Sequence, residues 1–318
     1  MIPAANRALS VLPPLPSVPG WAQPRGPVIS DVEAAFIAGA ALISLDNLVR
    51  IDPAWAGAWR HRLALKCAAT AVSMVGRTED EAALRDAWYL RPVNGDPGPA
   101  GRIFEAWKRL TNRSPGIDTA YLATTVGLLG LRWSGEFEIL IDRVAALGRS
   151  SQPAPFAAAA IVAEVMALRP DGELLGWWLA DQVMALKLRW PLPVPLLVGQ
   201  ARSAAFREPG GRSKRVRPGG EGFDRGVCVA LAQAAAEACR LAMEIAPRAA
   251  RLEAVQPKLR AKGAGEAIQL LLDGDAVPGT LQTAHLTRWG SRRLFERLLA
   301  LDAVRELSGR AAFKLYGL

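Results

Sequence analysis

Histidine and cysteine are nearly absent from this chain of 318 residues, which holds two His and three Cys. Neither His61 nor His285 has a Cys or His at a zinc-ligand spacing, and Cys228 and Cys239 stand far apart. Neither a metal centre nor a disulfide framework is therefore expected. Long apolar runs are also missing. The stretches Ala120–Leu131 and Ala154–Leu168 fall short of the roughly 18–20 residues that a bilayer requires, and the second carries Glu164. Prolines among the first 28 residues occupy the place where a secretion signal has its apolar core. The expectation is a cytoplasmic protein with no membrane contact. No Gly-rich loop precedes a Lys-Ser/Thr pair, and no Gly-x-Ser-x-Gly nucleophile turn occurs. No catalytic residue and no cofactor are expected, and the chain does not read as an enzyme.

Apolar residues make up 51 % of the chain and charged residues 22 %, enough to bury a large core. Basic side chains outnumber acidic ones by 39 to 30, a net charge of +9. The excess is uneven: residues 246–318 hold twelve basic and seven acidic side chains. A basic C-terminal segment suits a polyanionic partner, and DNA is the expected one.

Residues 1–28, with Pro13-Pro14-Leu15-Pro16, read as a flexible Pro-rich arm. Residues 29–206 read as a bundle-like helical body, because apolar residues recur at helical spacing and no segment before residue 300 alternates. Ser30 or Asp31 caps its first helix, and Pro53 opens a second one rich in Trp. Thr78-Glu79-Asp80-Glu81 has the form of a capping box with Thr78 as the cap. Nine of the ten Trp precede residue 191 and are expected to pack helices together. Residues 207–224 are rich in Gly, Pro and charge and read as a basic linker or loop. Within it, Arg212, Lys214, Arg215 and Arg217 form a secondary basic contact candidate. Residues 225–262 read as a long helical connector.

The ending, residues 263–318, differs from everything before it. Gly265–Leu272 and Pro278–Ala284 read as two short helices, and Thr287 caps a third, Arg288–Leu301. A hairpin then turns at Ser308-Gly309-Arg310, with Ala312–Tyr316 alternating as its second strand. Three short helices followed by a β-hairpin wing describe a winged helix-turn-helix. On the third helix Ser291, Leu294, Leu298 and Leu301 share the packing face, while Arg288, Trp289, Arg292, Arg293 and Glu296 point away. Arginine pairs with phosphates and with the paired acceptors of guanine. The candidate DNA-binding set is therefore Arg288, Trp289, Arg292 and Arg293, with Arg310 and Lys314 from the wing. The one other charged constellation is Arg77, Glu79, Asp80, Glu81, Arg85 and Asp86. It is the one cluster with the makings of an active site, since carboxylates and arginines one turn apart shift each other's pKa or hold a phosphate, and it reads first as a capping box with i,i+4 ion pairs on a solvated helix face.

The stretches PAWAGAWRHRLAL, GRTEDEAALRDAWYLRPVNGDPGPAGR and LKLRWPLPVPLL, with the ending SRRLFERLLALDAVRELSGRAAFKLYGL, resemble an alphaproteobacterial family. It is the family catalogued as domain of unknown function 1403. The resemblance covers nearly all of the chain beyond residue 28 and implies a bacterial cytoplasmic protein that forms one family-wide unit. It brings no activity or site residue. Two functions are consistent with the whole reading. The first is a DNA-binding protein, a transcriptional regulator or a replicon-maintenance factor. The second is an interaction protein that docks a protein partner in a DNA-organisation or segregation complex without touching DNA.

Overall fold

The computed structural model describes residues 15–26, 28, 30–92, 95–207, 215–259, 262–310 and 312–318. The expected all-α body is present as nine helices: α1 (Asp31–Ile51), α2 (Ala56–Met74), α3 (Glu81–Tyr89), α4 (Gly98–Leu110), α5 (Thr119–Leu128), α6 (Ile139–Arg149), α7 (Ala154–Leu168), α8 (Glu173–Leu188) and α9 (Phe223–Val255). Two further helices follow, α10 (Ala264–Asp273) and α11 (Arg288–Ala300). Three short strands complete the described residues: β1 (Val277–Pro278), β2 (Arg305–Glu306) and β3 (Leu315–Gly317).

Helix starts follow local chemistry. Ser30 accepts from the Glu33 amide and Asp118 from the Tyr121 amide, each satisfying a donor that the first turn leaves open. The start of α3 differs from the sequence expectation. Asp80, not Thr78, accepts from the Ala83 amide, and Glu81 is the first helical residue. A carboxylate at the cap also meets the positive end of the helix dipole, which favours Asp80 over the hydroxyl two residues earlier.

The core forms where α9 lies against α1 and α7, with α7 on α8 and α2 on α4. Buried tryptophans tie these layers together. The Trp59 indole donates to the Ala238 carbonyl at 2.9 Å, Trp178 to Ala106 at 3.0 Å and Trp190 to the Asp46 carboxylate at 2.9 Å. Each large ring removes apolar surface from water while its N–H keeps a partner. Helix α9 is thus no connector. Its small side chains, from Val227 to Ala242, are buried on most sides, so it runs through the centre of the body and carries Pro247 in its second half. Helices Asp31–Ile51 and Phe223–Lys258 are long and apolar enough to cross a membrane by length and composition, and here they pack on each other.

Two further expectations change. Of the proposed N-terminal arm, residues 1–14 lie outside the described part. Val18 and Ala22 are buried beside α1, and Ser17 accepts from the Ser44 hydroxyl at 2.9 Å. Of the proposed linker, residues 208–214, with Arg212 and Lys214, also lie outside it. The described remainder is tied down. The Val216 amide donates to the Phe206 carbonyl at 2.8 Å, Val216 is buried, and Arg215 pairs with Glu173 on α8.

One buried acid gives the body a pH signature. Asp181 on α8 is fully buried, and its carboxylate accepts from the Leu196 and Leu197 amides at 3.2 and 3.3 Å. Burial pushes its carboxyl up to about 7, against the pull of those two amides. The folded value lies above the unfolded one, so this group's stabilisation is complete below about pH 4 and is lost as the pH rises towards 7. Asp181→Asn cannot ionise. Urea titrations between pH 4 and 7 should show a flatter pH dependence for the variant, by on the order of 2–4 kcal/mol across that window. Parallel curves for the two proteins would contradict this role.

Candidate nucleic-acid interface

The C-terminal unit is built from α10, β1, α11, β2 and β3. The strands form an antiparallel sheet in the order β1-β3-β2, with Val277 opposite Tyr316 and Glu306 also opposite Tyr316. Strand β1 precedes residue 300, where none was expected. Two residues are too few to show alternation, and Pro278 fits because β1 is an edge strand. The expected helix at Pro278–Ala284 is a loop instead. The Ser291 hydroxyl donates to the Leu281 carbonyl, and the Thr283 amide donates to that of Leu286, which closes the loop without a helical turn.

Helix α11 starts at Thr287, whose hydroxyl accepts from the Gly290 amide at 3.2 Å. Ser291, Leu294 and Leu298 are buried as the periodicity indicates. Leu301 is not on that face: the helix ends at Ala300, and the Ala303 amide folds back onto the Leu298 carbonyl. Phe295 completes the packing face, fully buried and stacked on Tyr316 of β3 with ring centres 4.7 Å apart. Sequence reading had missed it.

Four candidates on α11, Arg288, Trp289, Arg292 and Arg293, are all exposed, and so is Arg297 one turn beyond Arg293. Trp289 is 72 % exposed. Arg292 donates to Glu296 at 3.0 Å, whereas Arg288, Arg293 and Arg297 have no ion-pair partner among the described residues. The two wing residues are placed otherwise. Lys314 borders the same face but pairs with Glu306 at 2.8 Å. Arg310 turns to the body and pairs with Asp86 of α3. Between α11 and the loop 307–314 lies a groove of about 500 Å³ lined by Arg288, Trp289, Arg292, Phe313, Lys314 and Tyr316. Arg215 and Arg217 line a different depression, against α7 and α8.

The Arg310–Asp86 pair is part of a larger contact that fixes the unit to the body. Asp275, in the turn after α10, is fully buried and accepts from Arg85 of α3 at 2.6 Å and from Arg62 of α2. Burial alone would raise the Asp275 carboxyl, but the two guanidinium groups hold it below the usual carboxylate range. Arg62 reaches further, donating to the main-chain oxygens of Asp275 and Leu318 at 3.2 and 3.3 Å. The backbones meet closely beside it. A Cβ at Gly57 of α2 would lie 2.7 Å from Asp273 Cα, so only glycine admits α10 at this distance. On the far side Arg251 of α9 pairs with Asp302.

The charged constellation on α3 therefore divides. Arg77 and Glu79 pair on the surface two residues apart, ahead of α3 and not at the i,i+4 spacing expected on the helix, and Arg85 and Asp86 face the C-terminal unit and hold it. Of the histidines, His61 lies near this junction, within reach of the Asp273 backbone and the Asp275 charge. His61 is buried beside Asn112, and burial together with nearby Lys108 pushes it down to about 4, so it stays neutral; His285 pairs with Glu266 on the surface.

No curated protein matches the chain. The family described as "Protein of unknown function (DUF1403)" matches it over residues 6–318, and the chain belongs to that family.

Proposed function

We propose that this protein binds duplex DNA through its C-terminal unit, acting as a reduced winged helix whose α11 lies in the major groove. The order helix–strand–loop–helix–strand–strand, with the first and last strands paired, is that of a winged helix in which the second helix has shrunk to a loop. The observation that carries the reading is the outer face of α11. Three arginines without ion-pair partners among the described residues, Arg288, Arg293 and Arg297, are exposed on it, Arg288 at the edge of the groove and Arg293 and Arg297 further round the helix. Unpaired guanidinium groups in water gain most by meeting phosphates and guanine edges. The wing contributes Lys314 beside this face. Arg310 serves the anchor to Asp86 instead, so backbone contacts fall to α11.

The anchoring supports the same reading. A recognition helix reads bases only when held rigidly, and Asp275, Arg62 and Arg85 fix this unit to a body of nine helices. The test is titration of a labelled 20–30 base-pair duplex with the full chain at several salt concentrations. Binding at near-physiological salt, weakening steeply as salt rises, is expected, because neutralised phosphates release their counterions. Absence of binding at 50 mM salt would remove the proposal and leave the protein-docking alternative.

A further inference from the structure

Two large aromatic rings face solvent where the DNA surface is proposed. Trp289 is 72 % exposed and Phe313 is 67 % exposed, and both line the groove of about 500 Å³ between α11 and the loop 307–314. Phe313 is held out at a cost. Its φ is +57°, in the left-handed region that an aromatic residue rarely occupies. Leu299 and Ala312 extend the apolar wall; at the edge Arg292 is paired with Glu296 and Lys314 with Glu306, which leaves Arg288 as the cation there with no ion-pair partner among the described residues. A continuous B-form duplex offers such a groove nothing to stack on, because its base faces are covered by neighbouring bases. An unpaired nucleotide offers both parts the groove is made for: a flat π-face for the rings and a phosphate for the unpaired Arg288. The volume is within the range of pockets that take molecules of nucleotide size.

We propose that the groove between α11 and the 307–314 loop holds an unpaired nucleobase adjoining the duplex, stacked on Trp289 and Phe313. The protein would then prefer DNA carrying an overhang or extruded base to continuous duplex. This rests on the duplex-binding reading of the same surface, and the experiment separates the two.

The full chain is titrated with three labelled DNAs: a blunt duplex, the same duplex with one unpaired 3′ adenosine nucleotide, and one whose overhang is abasic. Stacking of one base gives roughly a five- to hundredfold preference for the adenosine overhang over the blunt end. The abasic overhang is expected to bind like the blunt duplex. Trp289→Ala combined with Phe313→Ala should abolish the preference, with unchanged circular dichroism, and Phe313→Ala alone, outside the duplex-binding set, should reduce it while leaving blunt-duplex affinity within about twofold. Trp289→Phe should keep most of the preference. Equal binding of all three DNAs by the wild-type protein overturns the groove assignment and leaves duplex binding standing. Failure to bind any of them overturns both readings. Free deoxyadenosine monophosphate is added as competitor at 1000-fold excess over the DNA. Loss of the overhang preference at that excess would mean that the groove takes a free nucleotide, and would overturn the junction form of the proposal.

Discussion

Asp275→Ala is expected to cost about 3–5 kcal/mol of folding stability, the range found when one partner of a buried ion pair is removed. The carboxylate is fully buried and is shared by Arg62 and Arg85, whose side chains are themselves 4 % and 8 % exposed. Without it, two guanidinium groups remain in a water-poor junction with no anion between them, and Arg305 adds a third positive charge nearby. The Nε groups of Arg305 and Arg248 lack a hydrogen-bond partner among the described residues, and what Arg62 keeps is the main-chain oxygens of residue 275 and Leu318, which carry no full charge to replace the carboxylate. The variant should therefore lose protection from hydrogen exchange first in α10 and β3, where the unit meets α2. The effect has a pH signature. The folded carboxyl lies below its unfolded value, so its stabilisation is present above about pH 4 and vanishes as the pH falls through the folded value. Wild type and variant should converge in acid. Asp302→Asn, which removes the charge of the exposed pair with Arg251 and still suits the left-handed backbone at φ +51°, should change stability far less. Equal stability of the wild type and Asp275→Ala at pH 7 would show that this junction does not hold the unit.

Phe295→Ala is the second large effect. The ring is fully buried and lies parallel to Tyr316, with 2° between the ring planes, so it joins α11 to the sheet. Truncating a buried phenylalanine removes its transfer free energy and leaves a cavity, about 3–5 kcal/mol together. The loss should be local. Helix α11 should exchange amide hydrogens faster while α2, α8 and α9 keep their protection. DNA affinity should fall with it, since α11 loses its fixed angle to the wing. Retained stability with unaltered exchange in α11 would contradict the packing described.

The sequence made the helices legible because their signals are local. Caps at Ser30 and Thr287, and the 3.6-residue spacing of Leu294 and Leu298, act within one or two turns. What joins the helices was not legible. Arg85 and Asp275 are 190 residues apart, and neither residue's neighbours in sequence mark it as the other's partner. The Arg85 neighbourhood looks like a solvated face because Glu79, Asp80, Glu81 and Asp86 lie close to it in sequence. Helix α9 was misread for a related reason: a run of Ala and small residues fits an exposed connector and a crowded centre equally well. In the candidate site, the arginine face of α11 followed from the helical wheel alone. The turning of Arg310 towards Asp86 depends on how the unit docks, and the outward ring of Phe313 depends on a left-handed backbone that alternation does not reveal.

The proposal that α11 is a DNA-reading helix is tested most directly by the salt dependence of duplex binding for wild type and for Arg288→Ala combined with Arg293→Ala. Both side chains are exposed and have no ion-pair partner among the described residues, so the variant should fold as the wild type does. If both touch phosphates, affinity should fall for every sequence, and the slope of log affinity against log salt should become shallower by roughly 2. If one of them reads guanine, the loss should concentrate at one base position, at about 1–3 kcal/mol. Identical affinity and identical slope for two folded proteins would contradict the account.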